Sequence, residues 1–132
     1  MGYGTLYGDS CGAVSVIGDL YKTEVYELCN YINREGERIP QHTIDKAPSA
    51  ELRPGQKDSD SLPDYALLDA ILNLHIEEQL CADEIVAEGY DADLVAGVLR
   101  KVAANEWKRL QFAPLLKVSP MSFTIDRRWP VS

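Results

Sequence analysis

The segment from Pro48 to Tyr65 gathers side chains that could handle a charged ligand. It reads PSAELRPGQKDSDSLPDY, with three prolines, one glycine and only two large aliphatic residues. Its charged candidates are Glu51, Arg53, Lys57, Asp58 and Asp60. Such a loop can close over a charged ligand and exclude water from it. The same composition suits a solvated connector, because few apolar groups offset the entropy of ordering it.

Two lysines and their neighbours are further candidates for binding an anion. Lys22 begins a helix directly after a strand-like run, where an ammonium adds to the positive end of the helix dipole. Lys108 follows Trp107; a lysine can neutralise an anion and an indole can stack on a flat ring. Ser49 offers a hydroxyl for hydrogen bonding. The ordinary alternatives are solvated lysines, a turn serine and a core tryptophan.

Histidines and cysteines give little sign of a metal site. With only His42 and His75, and with no C-x-x-C spacing, the usual zinc ligand patterns are missing from the sequence. His75 falls on the apolar side of a predicted helix, where a structural role is expected. An odd set of three cysteines indicates a reducing compartment, most simply the cytoplasm.

Composition predicts one folded domain with an uneven charge. The 132 residues are 45% hydrophobic and 26% charged, and no apolar run is long enough to span a membrane. The net charge of −8 argues against a nucleic-acid ligand. Residues 100–132 nevertheless carry seven Lys or Arg against two Asp or Glu. This basic end could face an anionic ligand or a neighbouring acidic surface.

The first half of the chain predicts a strand, a tight turn and a helix. The run AVSVI at 13–17 has the β-branched composition of a buried strand. The next segment, from Tyr21, is amphipathic, and Gly36 suits the left-handed position after its end. Its predicted apolar stripe is Val25, Leu28, Cys29 and Ile32. Pro40 can begin one further helical turn.

The second half predicts three more helices. Ser61 can cap the first of them, with Asp64 answering as the acid of a capping box. A short helix ends at Gly89, and Asp91 caps a long one over 92–112. The predicted core stripe of that long helix is Leu94, Val95, Val98, Leu99, Val102 and Trp107. The tail from residue 113 is predicted to be extended. A single strand needs a partner for its backbone groups. Either it pairs with its copy in a dimer, or the rest of its sheet lies in sequence beyond these residues, which would make the chain a piece of something larger.

Three blocks together resemble the C-terminal part of the glutamine-dependent NAD synthetases. The blocks are GYGTLYGDSCGAVSVIGDLYKTEVYEL, PSAELRPGQKDSDSLPDYALLDAIL and NEWKRLQFAPLLKVSP, with RRWP near the end. The middle block is the most specific. The resemblance spans residues 1–132 and implies an α/β fold of the Rossmann-like adenine nucleotide alpha hydrolase type. The fragment itself is predicted to be mostly α-helical with one short strand.

The family's activity follows from the resemblance. Such an enzyme uses ATP and Mg²⁺ to adenylate deamido-NAD, and ammonia then converts the adenylate to NAD. A separate amidase domain supplies the ammonia from glutamine. The resemblance implies a homodimer, and neither a membrane nor a nucleic acid as partner.

The resemblance also assigns roles to the candidate residues. Lys22 and Ser49 would contact ATP, and Lys108 with Trp107 would contact deamido-NAD. Residues 48–63 would form a mobile lid over the nucleotides. No catalytic residue and no metal ligand is assigned within the chain.

The departures from the family pattern predict an inactive fragment. The phosphate-binding string S-G-G-x-D-S does not occur, nor does the amidase domain with its Glu-Lys-Cys triad. The acidic magnesium ligand expected just upstream of Gly2 is also missing. The Mg²⁺ ligands are therefore expected mostly outside these residues.

Two other functional classes stay open. Residues 80–111 have the pattern of a helix-turn-helix that could bind DNA, although the acidic composition opposes it. The chain could also be a dimerisation module only.

Overall fold

The computed structural model describes residues 1–2, 4, 8, 11–49, 54–122 and 125–126. Its helices are α1 (Lys22–Asn33), α2 (Gln41–Asp45), α3 (Tyr65–Ile76), α4 (Ala82–Ala87), α5 (Ala92–Ala104) and α6 (Glu106–Arg109), with a 3₁₀ turn at Asp58–Asp60. This confirms the mostly helical prediction with little strand. Nowhere in the described ranges is a helix long and apolar enough to cross a bilayer.

The chain divides into two compact units. One comprises Leu20–Asp69, and the other comprises Met1–Asp19 together with Ala70–Ser132. The first unit contains α1, α2 and the 3₁₀ turn; α4, α5 and α6 belong to the second.

The start and the end of α1 follow the local sequence. The Glu24 carboxylate accepts a hydrogen bond of 2.7 Å from the Tyr21 backbone N–H, which satisfies one donor at the helix start. After the helix, Gly36 has φ of 137°, as predicted from its type. The Asn33 amide ties this corner by donating to the Ile39 carbonyl at 2.8 Å. None of the α1 residues is fully buried, so its predicted apolar stripe is only partly covered.

The start of α3 differs from the predicted capping box. The helix begins at Tyr65, so Asp64 takes the capping position itself. Its Oδ1 accepts a hydrogen bond of 2.8 Å from the Ala66 N–H. Ser61 instead ends the 3₁₀ turn, with its N–H donating to the Asp58 carbonyl at 3.1 Å. The prediction was wrong by one helical turn because the 3₁₀ turn uses the residues expected to cap α3.

The second unit holds most of the buried apolar side chains. Those with at most 7% of their surface exposed are Ile71, Leu72, Ile76, Ile85, Val95, Val98 and Val102. Helices α4 and α5 pack against each other, and this packing buries Ile85 and the stripe of α5. Burial of each such side chain is worth about 1.5–3 kcal/mol. The predicted cap of α5 is confirmed, since Asp91 Oδ1 accepts from the Leu94 N–H at 2.8 Å.

The long helix predicted over 92–112 is broken. It ends at Ala104, and α6 begins at Glu106, with Asn105 between them at φ −104° and ψ 11°. The break turns Trp107 away from the core, and 42% of its surface is exposed. Glu106 is buried in its place, with 2% exposed. The spacing of apolar residues therefore predicted the wrong buried residue after the break, because the helix does not continue through Asn105.

The predicted strand at 13–17 is reduced to one parallel bridge between Ser15 and Leu115. The Ser15 N–H donates to the Pro114 carbonyl at 2.8 Å. Val16 is 66% exposed and Val14 is 50% exposed, so the run is not buried as predicted. A strand is stabilised by hydrogen-bonded neighbours and a covered face, and the described residues supply only this single bridge.

Candidate functional site

Lys22 lies at the first position of α1, as the sequence predicted. Its ammonium is 5.3 Å from the centroid of the Tyr26 ring, one turn further along the helix. The next N–H, that of Thr23, donates to Asp69 Oδ2 at 2.8 Å. A carboxylate of the same unit thus already satisfies the Thr23 N–H. An anion arriving here would meet the Lys22 ammonium rather than that amide.

The Asp69 carboxyl is buried, and burial disfavours its charged form. Only 8% of the residue is exposed. Burial raises the pKa of Asp69 above its ordinary value, and the hydrogen bonds from Thr23 oppose that rise. Asp69 therefore holds the beginning of α1 while its own charge is poorly solvated.

The predicted lid loop is closed at its base. The Asp58 N–H donates to the Pro48 carbonyl at 2.9 Å, which brings the two ends of residues 48–58 together. Ser49 lies beside this closure and is half-buried. Lys57 and Asp60 are exposed, and the Lys57 N–H donates to Asp60 Oδ2 at 2.9 Å. Glu51 and Arg53, the other two predicted lid residues, lie outside the described residues.

Asp58, one of the predicted lid residues, is buried. It is 9% exposed, and its Oδ2 accepts a hydrogen bond of 2.6 Å from the Tyr65 hydroxyl. Its Oδ1 is buried without a hydrogen-bond partner among the described residues. Burial, followed by the bond to Asp58, raises the pKa of Tyr65 far above its ordinary value. The polar sequence did not show which carboxylate a neighbouring tyrosine covers, and the lid role of Asp58 stays a prediction.

A cluster of two tyrosines and two carboxylates lies in the unit that carries Lys22. Burial first, and the Asp58 charge second, raise the pKa of Tyr26. The Asp69 charge also contributes to the raised pKa of Tyr65. Sequence analysis missed Tyr26, Tyr65 and Asp69. The signal available was the spacing of four residues from Lys22 to Tyr26 and from Tyr65 to Asp69, which places each pair on one helix face.

Lys108 contacts the glycine-rich beginning of the chain. Its Nζ donates to the carbonyls of Gly2 at 2.5 Å and of Gly4 at 3.3 Å. The same atom is 5.7 Å from the centroid of the Trp107 ring, and Trp107 is 42% exposed. Trp107 is therefore not a fully buried core residue, and the contact of both residues with a dinucleotide stays a prediction.

One cleft of the second unit lies beside this helix. It has a volume of about 190 Å³ and is lined by Glu106, Arg109, Phe112, Leu115 and Ile125, among others. Pockets for drug-sized ligands usually measure about 300–1,000 Å³. The cleft is too small for a dinucleotide.

A magnesium site does not form from the residues that the structure describes. Among the described residues, no group of three or more Asp, Glu, His or Cys side chains lies close enough together to hold a metal ion. Mg²⁺ takes an octahedral set of oxygens. The described side chains do not fit that ion, and no chemical step is assigned to it here.

Comparison with known proteins identifies the family. The family model described as NAD synthase matches residues 1–112. The glutamine-dependent NAD(+) synthetase of Xanthomonas campestris is 49% identical over all of this chain and 24% of its own length. The enzyme of the same name from Thermotoga maritima is 46% identical over 99% of this chain and 23% of its own length.

A solved structure shows the same relationship. The glutamine-dependent NAD+ synthetase from Acinetobacter baumannii, in complex with ADP, matches with a TM-score of 0.53 and 40% identity. The match covers 98% of this chain and 22% of that one. The chain thus spans about a quarter of the length of the curated relatives that it matches. With the family model covering most of its residues, the chain belongs to the NAD synthase family.

Proposed function

We propose that this chain is the part of a glutamine-dependent NAD synthetase that supplies ATP and deamido-NAD contacts. Relatives with that name match the whole chain, and one related enzyme is known in complex with ADP. The observation that carries the proposal is the placement of Lys22 at the first position of α1, in the same unit as the closed base of the 48–63 loop.

Lys22 is suited to the first half-reaction. In that step an oxygen of the nicotinate carboxylate attacks the α-phosphorus of ATP, and pyrophosphate leaves with the bonding electrons. An ammonium at the N-terminal end of a helix favours the charge that develops on the leaving pyrophosphate. Asp69 occupies the Thr23 N–H, so that amide is not available to the phosphates, whereas the Lys22 ammonium belongs to the same helical turn.

Lys108 and Trp107 are suited to hold the second substrate. An ammonium can bind a phosphate or carboxylate oxygen, and an exposed indole offers a flat face for stacking. In the second half-reaction ammonia attacks the acyl carbon, and AMP leaves as the amide forms. These two residues would fix the dinucleotide during both steps.

The loop at 48–63 is suited to shield the adenylate. Acyl-adenylates react with water, so a lid that closes over the nucleotides protects the intermediate. The hydrogen bond from Asp58 to Pro48 closes the base of the loop, and the Tyr65 hydroxyl holds Asp58 in place. We infer that Ser49 faces ATP from that base and that the tip of the loop moves.

The wider assignment rests on the sequence blocks. We infer that the chain is the C-terminal segment of a cytoplasmic homodimer, with a phosphate-loop half and a glutaminase domain in the same protein. In this proposal the 132 residues alone are inactive, and neither DNA nor a membrane is a partner.

The test is to exchange the matching segment of the Xanthomonas campestris enzyme for this chain. The hybrid is expected to form NAD from ATP, deamido-NAD and glutamine. Lys22→Ala in the hybrid should slow adenylate formation and leave glutamine hydrolysis largely intact. A hybrid that folds but forms no NAD, or a Lys22→Ala variant with unchanged kinetics, contradicts the proposal.

A further inference from the structure

We infer that Asn105 is a positioning residue for Lys108, acting through the glycine-rich segment at the beginning of the chain. This inference rests on the proposed function, in which Lys108 binds an anionic group of deamido-NAD. The arrangement lies entirely within the unit that contains residues 1–19 and 70–132.

Asn105 connects three pieces of backbone at the break between α5 and α6. Its side-chain Nδ2 donates to the Lys101 carbonyl at 2.8 Å and to the Met1 carbonyl at 3.4 Å. Its own carbonyl accepts from the Lys108 N–H at 3.1 Å, which starts α6. The Lys101 carbonyl belongs to the last turn of α5, where side chains commonly satisfy helix carbonyls. One side chain therefore fixes both the helix break and the first residue of the chain.

Gly2 fits against Asn105 only because it has no side chain. Its φ is +86°, a conformation that disfavours other residues. A Cβ at this position would lie 1.9 Å from Oδ1 of Asn105 and 2.4 Å from its Cγ. The hydrogen bond to Lys101 restrains the amide from moving aside. This close approach places the Gly2 carbonyl within reach of Lys108.

The consequence for Lys108 is a fixed ammonium. An ammonium has three N–H donors. Within the described part of the chain, two of its acceptors are the carbonyls of Gly2 and Gly4. The third N–H is the one that would bind the anion of the dinucleotide. A lysine held in this way loses little rotamer freedom when the ligand arrives, which favours binding.

The kinetic test uses the hybrid enzyme described above. Asn105→Asp keeps the size of the side chain but removes both N–H donors. We expect it to raise the KM for deamido-NAD about tenfold, which corresponds to about 1.4 kcal/mol of binding free energy. The KM for ATP should stay within about twofold of its value in the unaltered hybrid, which corresponds to less than half of that binding free energy. Gly2→Ala should have the same effect.

A double variant separates positioning from general damage to the fold. If Asn105 acts through Lys108, adding Asn105→Asp to Lys108→Ala should cause no further rise in the KM for deamido-NAD. The inference is overturned if the double variant raises the KM for deamido-NAD by the product of the two single effects. It is also overturned if Asn105→Asp raises the KM for ATP as much as the KM for deamido-NAD. An Asn105→Asp variant with unchanged KM in an otherwise active hybrid overturns it as well.

A chemical measurement on the 132-residue chain is independent of NAD formation. An ammonium bound to two carbonyls should be acylated by an N-hydroxysuccinimide ester more slowly than the exposed Lys57, which belongs to the other unit. Asn105→Asp and Gly2→Ala should each raise the Lys108 rate toward that of Lys57. Equal rates for the two lysines in the unaltered chain refute the positioning role even if the hybrid is active. If the hybrid is inactive while this protection is observed, the proposed function fails and the positioning of Lys108 stands.

Discussion

The ion pair of Glu106 and Arg109 offers a stability prediction that the sequence did not suggest. The Arg109 Nη2 lies 2.7 Å from Glu106 Oε2, and Arg109 Nε donates to the same oxygen at 2.9 Å. The Glu106 side chain is 2% exposed and the Arg109 side chain is 15% exposed. A second donor interaction joins Arg109 to the Val102 carbonyl. The two charges therefore have unequal access to water and unequal numbers of partners.

That inequality sets the expected magnitudes. Arg109→Met leaves a carboxylate with 2% exposure and no cation, and breaking a buried pair in this way costs about 3–5 kcal/mol. Glu106→Leu leaves a guanidinium that keeps the Val102 carbonyl and some solvent, so the cost should be about 1–3 kcal/mol. The double variant removes both charges and should fall within about 1 kcal/mol of the unaltered chain.

Urea unfolding of the four proteins, followed by circular dichroism, measures these differences. For a chain of this size, Arg109→Met should also lower Tm by roughly 10–20 °C. Lys117→Met is the matched control, because it breaks the solvent-exposed pair with Asp126 and should shift the midpoint little. Equal losses in the two single variants, or a double variant as unstable as their sum, would refute the reasoning from unequal burial.

Three smaller predictions concern one helix cap, one glycine within α5 and one buried carboxyl. Asp91→Ala should cost about 1 kcal/mol in urea unfolding by removing the cap of α5, whereas Asp93→Ala, on the same turn, should cost less; similar losses contradict the capping role. Gly97→Ala should add about 0.5–1 kcal/mol, since nothing lies within 4 Å of the added Cβ; a lower midpoint would show a hidden clash. Asp69 has a raised pKa in the folded chain, so its contribution to stability is fully present below the unfolded pKa and is lost as pH rises through the folded one. Asp69→Asn should flatten that part of the stability profile, and an unchanged slope in urea midpoints across acidic pH would contradict it.

Much of the helical framework was predictable because its signals are local. Gly36, Gly89 and Asp91 act at the helix ends where their residue types place them. The apolar spacing of α5 predicted residues that are buried, such as Val95 and Val98. Caps and periodic stripes depend on residues three or four apart, which a single helix brings together by itself.

The resemblance named Lys22, Ser49, Lys108 and Trp107 as site residues, and their roles stay predictions. It did not indicate the burial of Asp58. Its hydrogen bond to Tyr65 spans seven residues and depends on how the loop folds back.

The sequence by itself determined the family, the starts of α1 and α5 within a turn and the residue types available for binding anions. The tertiary structure alone decided that α5 breaks at Asn105, that Glu106 rather than Trp107 is buried, and that the 13–17 run forms one bridge instead of a strand. The physical reason is the separation in sequence of the residues that interact. Helical periodicity is fixed by neighbouring residues, whereas the contact between Gly2 and Asn105 joins positions about a hundred residues apart and exists only once the chain has folded.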